Sequence, residues 1–148
     1  MFKTQASVTI NRSKQHVFDY VTDPANRTRW QPSVSAEWTS EGPPGVGSTQ
    51  EWVSKFMGRK TAMISEVTNW DPPNSYGFRV IKGPMSFQFQ GNTVLETAGE
   101  SGTELTVDIE AGFGGFFKLA DGLMRKRFEK QMNTDLNALK LLLEGKQE

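Results

Sequence analysis

A single histidine, His16, and no cysteine leave the chain almost without the side chains that most often do acid–base, nucleophilic or metal chemistry. His16 follows Ser13 by three residues, one turn into an expected helix that Ser13 caps, and its neighbours Lys14 and Gln15 are polar. That is the pattern of an exposed histidine. Without a second His and without Cys, nitrogen–sulfur metal sites of the usual kind are excluded, as are disulfides and thiol catalysis. No nucleophile-elbow pattern supports a Ser–His–carboxylate arrangement. The glycines of Gly42-Pro43-Pro44-Gly45-Val46-Gly47 match a phosphate loop only in richness, because two prolines remove amide donors and no Gly-Lys-Ser/Thr follows. The expectation is no catalytic residue, no metal and no cofactor.

Charge excludes further classes. Seventeen Lys+Arg balance seventeen Asp+Glu, so nothing steers the chain toward nucleic acid or an anionic membrane. The run Arg125-Lys126-Arg127, with Lys130, shares its region with Asp121 and Glu129 and reads as a solvated face. No apolar run approaches the length of a membrane span, and the N-terminus lacks the apolar core of a signal peptide. The chain is expected to be cytoplasmic, without stable membrane insertion, and a monomer or weak homodimer. Asp121, Gln131 and Asp135 border the apolar stripe of the last helix; edge exposure is the expected reading, with Asp121 the candidate if an acid–base group exists.

Apolar chemistry is better represented: 10 Phe, 4 Trp, 2 Tyr and 6 Met. Tyr76, Phe78 and Val80 alternate with polar residues, as do Met85, Phe87 and Phe89, and Leu105, Val107 and Ile109, so each set shares one face of a strand. Arg79 should then point to the opposite face. Phe116, Ala120, Met124, Phe128, Met132 and Leu136 form an i+4 ladder, flanked by Phe113, Phe117, Leu139 and Leu143, with Lys118, Lys126, Glu129, Lys130, Asn133, Asn137 and Lys140 opposite. The stretch 113–143 is expected to be one amphipathic helix, a rod of roughly 45 Å, burying Phe117, Met124 and Phe128 against the sheet.

The elements that position these residues follow from periodicity and punctuation. Residues 3–11 alternate as a first strand. A helix runs from Ser13 to residue 21 or 22, Asp23-Pro24 breaks it, and residues 25–30 make one more turn before Gln31-Pro32. Six strands are expected at 34–39, 49–56, 60–69, 76–81, 86–96 and 103–111, separated by Gly/Pro/Asn turns. The Phe56-Met57 hairpin tip reads as packing or as a flap. At 148 residues the chain is one domain, residues 1–148, of class α+β: a curved antiparallel sheet against one long helix.

The segments VTINRSKQHVFDYVTDPANRTRWQPSV, PPGVGSTQEW, FMGRKTAMISEVTNWDPPNSYGFRV and GGFFKLADGLMRKRFEKQMNTDLNALKLLLEG together resemble the START-like (SRPBCC) superfamily, in its polyketide cyclase/dehydrase-like branch. The resemblance covers nearly the whole chain. It implies the helix-grip fold, with seven antiparallel strands wrapped around the C-terminal helix and a cavity for a hydrophobic small molecule. It also implies that Trp30 plugs one cavity end. The ligand-binding set expected on this basis is Trp30, Trp52, Phe78, Phe87, Phe89, Ile109, Phe113, Phe117, Ala120 and Met124, around a cavity of a few hundred Å³. Three functions stay open: a binder that leaves its ligand unaltered, a polyketide cyclase/aromatase or dehydratase that works by shaping its substrate, and a protein-interaction module of the chaperone-activator type.

Overall fold

The computed structural model describes residues 1–56, 58–83, 87–112 and 121–145. Strand β1 (Phe2–Ile10) is followed by α1 (Lys14–Thr22), a 3-10 turn (Pro24–Asn26) and α2 (Arg27–Trp30). Six strands come next: β2 (Ser33–Trp38), β3 (Thr49–Phe56), β4 (Arg59–Asp71), β5 (Ser75–Lys82), β6 (Gln88–Ala98) and β7 (Gly102–Gly112). The last described helix is α3 (Asp121–Glu144). The expected helix 113–143 is thus seen from Asp121 onward, and residues 113–120 lie outside the described residues.

The strands form one seven-stranded sheet in the order β1-β7-β6-β5-β4-β3-β2, every pair antiparallel. Consecutive hairpins account for β2 through β7, and the first strand closes on the last. Period-two alternation gives each strand one inner and one outer face. On the outer face Lys3, Glu110, Gln90, Arg79 and Glu66 line up across five strands. Arg79 donates to Glu66 at 2.9 Å and is exposed, as its phase in the strand predicts. On the inner face Thr4, Ile109, Gly91, Phe78 and Val67 form the matching row.

Local signals set the helices. Ser13 Oγ accepts the His16 N–H at 3.2 Å and caps α1, leaving His16 exposed. Asp23 Oδ1 accepts the Ala25 N–H at 3.0 Å and starts the 3-10 turn that feeds α2. Helix α3 runs alongside β1 in the same direction. At one end Asp121 Oδ2 pairs with the Met1 amine at 2.9 Å; at the other, Glu144 accepts the Asn11 N–H at 2.8 Å. Lys140 Nζ donates to Thr9 O at 2.6 Å, and the Phe2 and Phe128 rings meet edge-on at 5.3 Å.

The interior divides in two. One cluster packs Ile10, Val17, Phe18, Trp30, Leu95 and Leu105 under Leu136, Leu139 and Leu143 of α3. The other gathers Phe2, Trp52, Met63, Phe87, Ile109 and Ala111 under Met124, Phe128 and Met132. From Met124 to Leu136 the helix ladder is the predicted one, while Phe116 and Ala120 lie outside the described residues; its burial is uneven. Leu136, Leu139 and Leu143 are buried, whereas Met124 and Phe128, expected to be fully covered, are half-buried. Among the described residues, Val17, Phe18 and Val21 of α1 and Trp30 of α2 close the first cluster from a third side, and Arg27 of α2 reaches the second over Trp52.

Candidate functional site

The second cluster is a wall of aromatic rings. Trp52 on β3 meets Phe78 on β5 at 5.0 Å and Phe89 on β6 at 6.0 Å, both edge-on. Phe78 and Phe89 are 5.3 Å apart, and Phe89 touches Phe128 of α3 at 5.8 Å. Phe87 precedes β6 rather than opening it, and tilts against Phe89 at 5.9 Å and Phe128 at 6.2 Å. Edge-to-face rings at these separations gain dispersion and quadrupole energy beyond burial alone. Of the expected ligand-binding residues, Trp52, Phe78, Phe87, Phe89, Ile109 and Met124 come together here. Trp30 packs in the other cluster, with its indole Nε1 buried and without an acceptor. Phe113, Phe117 and Ala120 lie outside the described residues, as do Met57, Met85 and the side chain of Phe56.

Polar groups adjoin this wall that sequence reasoning overlooked. Gln50 and Ser65 face inward, buried, each two residues along its strand from Trp52 or Met63. Arg27 reaches in from α2, its guanidinium carbon 4.7 Å from the centre of the Trp52 ring. Its Nη2 donates to Gln50 Oε1 at 3.2 Å, and the same oxygen accepts the Trp52 Nε1–H at 3.2 Å. Arg27 Nε is closed to solvent and has no acceptor. Desolvation lowers the guanidinium below its usual value, opposed by Tyr76. Burial in turn raises the Tyr76 phenol, offset by hydrogen bonding to Thr93 and by the positive charge of Arg27. A hollow of about 30 Å³ lies among Thr22, Arg27, Gln50, Trp52, Ser65, Tyr76 and Phe78. The expected larger cavity was assigned Phe113, Phe117 and Ala120 as part of its lining, and these lie outside the described residues. The signal for Gln50 and Ser65 was their phase with Trp52 and Met63; Arg27 has no periodic signal at all.

The other candidate groups are otherwise engaged. Asp121 Oδ2 is held by the Met1 amine, while its Oδ1 is buried without a hydrogen-bond partner among the described residues, so this carboxylate is more enclosed than the expected edge position. Asp135 accepts from Gln131 at 2.7 Å and is half-buried, and burial raises its carboxyl to about 6. A depression of about 790 Å³ against β1, β5, β6 and β7 is lined by Phe78, Gly91 and Ile109 and by polar side chains, among which Gln5 pairs with Asp108 at 2.7 Å and Gln90 with Glu110 at 2.8 Å. Among the described residues no three His, Asp or Glu side chains cluster as a metal site, and no helix is long and apolar enough to cross a membrane.

The Asp135 carboxyl makes stability depend on pH. A group whose folded value lies above its unfolded one binds its proton more tightly in the fold. Its stabilisation is therefore complete below 3.8 and is lost as pH rises through about 6. Asp135→Asn is expected to raise stability at pH 7.5 by about 1 kcal/mol, a figure reduced for partial solvent screening, and to change little at pH 3.5. Urea unfolding at the two pH values checks this; an equal shift at both would assign the effect to packing.

The comparisons agree with this architecture. Residues 1–144 match the family described as "Polyketide cyclase / dehydrase and lipid transport". The chain belongs to that family. Its fold is the START-like helix grip. A START superfamily protein from Mycobacterium smegmatis superposes with a TM-score of 0.82 at 15% identity, covering 96% of this chain and 97% of that one. The Zhui aromatase/cyclase from Streptomyces sp. R1128 gives 0.76 at 16% identity, over 97% and 93%. A protein from Thermus thermophilus gives 0.76 at 20% identity, over 93% and 94%. A comparison with curated proteins found no match. At such identities the superpositions establish the fold alone.

Proposed function

We propose that this member of the polyketide cyclase/dehydrase and lipid transport family binds a hydrophobic small molecule, aromatic, polyketide-like or lipid-like, between the aromatic wall of the sheet and the N-terminal half of α3. The observation that carries the reading is the contrast between the two ends of the interior. In the first cluster Leu95, Leu105, Leu136 and Leu139 are at most 3% exposed, with Tyr20, Trp70 and Tyr76 partly buried against them. In the second, Phe2, Trp52, Met63, Phe87 and Ile109 are buried while Phe78, Phe89, Met124 and Phe128, which point inward, remain half-buried. Inward-facing aromatic and Met side chains that keep accessible surface support a ligand-site reading, since such sites are mostly apolar and aromatic and Met adapts to varied shapes.

The test uses the neutral apolar dye Nile red. One-to-one binding with quenching of tryptophan fluorescence is expected, and at 100 times its Kd the dye should stabilise the fold by about 2.7 kcal/mol through mass action. Met124→Trp, which places bulk against the wall, should abolish dye binding while the protein stays folded. Absence of binding to the parent protein, together with no small molecule retained in native mass spectrometry, would leave the interaction-module reading. The inward polar groups Gln50, Ser65 and Tyr76 favour a second reading, a cyclase or dehydratase that folds its substrate in a shaped pocket. Turnover of a poly-β-ketone, against recovery of an unaltered ligand, separates the two.

A further inference from the structure

Arg27 is a half-buried cation without an anionic partner among the described residues. The ion pairs among the described residues join Met1 to Asp121, Arg79 to Glu66 and Lys140 to Glu144; none includes Arg27. A guanidinium presents five N–H donors in a fixed fork. One of them reaches Gln50 Oε1, an acceptor already shared with Trp52, and the Nε–H, shut off from solvent, reaches nothing. Burying an uncompensated charge is costly unless something of opposite charge completes the site. The place for that group exists: the hollow beside Arg27, about 30 Å³, has room for one or two water-sized groups and is edged by the donors Ser65 and Tyr76. Its lining shares Trp52 and Phe78 with the aromatic wall, so the hollow and the wall adjoin through these two side chains.

We propose that Arg27 recognises a carboxylate at the end of the hydrophobic ligand, with Gln50 and the Trp52 ring holding the guanidinium in place. This rests on the reading of the aromatic region as a ligand site and specifies its ligand class: an apolar body carrying one anionic oxygen head. Trp52 then serves both parts, its face steadying the cation and its edge packing against Phe78. The lowered Arg27 value, caused first by desolvation, agrees with a cation that finds no full counter-charge in the unliganded chain.

The experiment is calorimetric titration with a matched pair, 2-naphthoate and 2-naphthamide, which share a body and differ in charge. The parent protein should prefer the carboxylate by about tenfold or more, the scale of a charge-assisted hydrogen bond. Arg27→Met should abolish that preference while still binding the amide, and Arg27→Lys, which keeps charge but not the fork, should retain only part of it. Equal affinity for the two compounds in the parent protein overturns the assignment and leaves the apolar site standing. A preference that survives in Arg27→Met also overturns it. If the parent binds neither compound and no Nile red, the ligand site and this inference fall together. The parent comparison needs no folded variant, so it decides even if Arg27→Met does not fold.

Discussion

Truncating Phe18 to Ala is expected to lower the unfolding free energy by about 3–5 kcal/mol, the largest effect of any change considered. Phe18 is 2% exposed and sits on α1, whose buried residues are Val17, Phe18 and Val21. Its ring meets Trp70 at 5.3 Å and Tyr76 at 5.8 Å, both edge-on, so removal leaves a void that two large side chains on different strands cannot close together. Phe128→Ala is expected to cost less than half as much, because Phe128 already keeps solvent contact. Instead it should weaken binding of apolar ligands. Urea unfolding of both variants measures the contrast. Similar losses would mean that the two halves of the interior are equally packed, and the ligand-site reading would lose its main support.

Gly91→Val is expected to destabilise by roughly 1–3 kcal/mol through overpacking. Gly91 faces inward between Ile109 on β7 and Phe78 on β5. A Cβ there would stand 2.7 Å from Ile109 Cδ1 and 2.8 Å from Phe78 Cε1. The Ile109 terminus can rotate away, but the Phe78 ring is held between Trp52 at 5.0 Å and Phe89 at 5.3 Å. The missing side chain is thus what lets Phe78 lie against the sheet and frees the space above it. Displacing the ring should also loosen apolar-dye binding at least severalfold. A variant as stable as the parent would show unfilled room beside Phe78.

Much of this molecule is set by local periodicity. Alternation along β5, β6 and β7 places Phe78, Phe89 and Ile109 on one face, because a pleated strand sends successive side chains to opposite sides, and the i+4 ladder from Met124 to Leu136 marks the helix face that meets them. The caps at Ser13 and Asp23 are local in the same sense, each a side chain bonding an N–H two or three residues on. What spacing could not place is what depends on distant partners. Trp70 stands opposite Tyr76 only because a register shift between Val67 and Asn69 moves it there. Phe128 is half-buried while packing on Phe2, Phe87 and Phe89, a degree of cover that depends on side chains from distant segments of the chain. Arg27, in a four-residue helix with no period to read, could as well have been solvated. It turns inward because the Trp52 face and Gln50, 23 residues further along the chain, receive it, and only the tertiary arrangement brings those two beneath it.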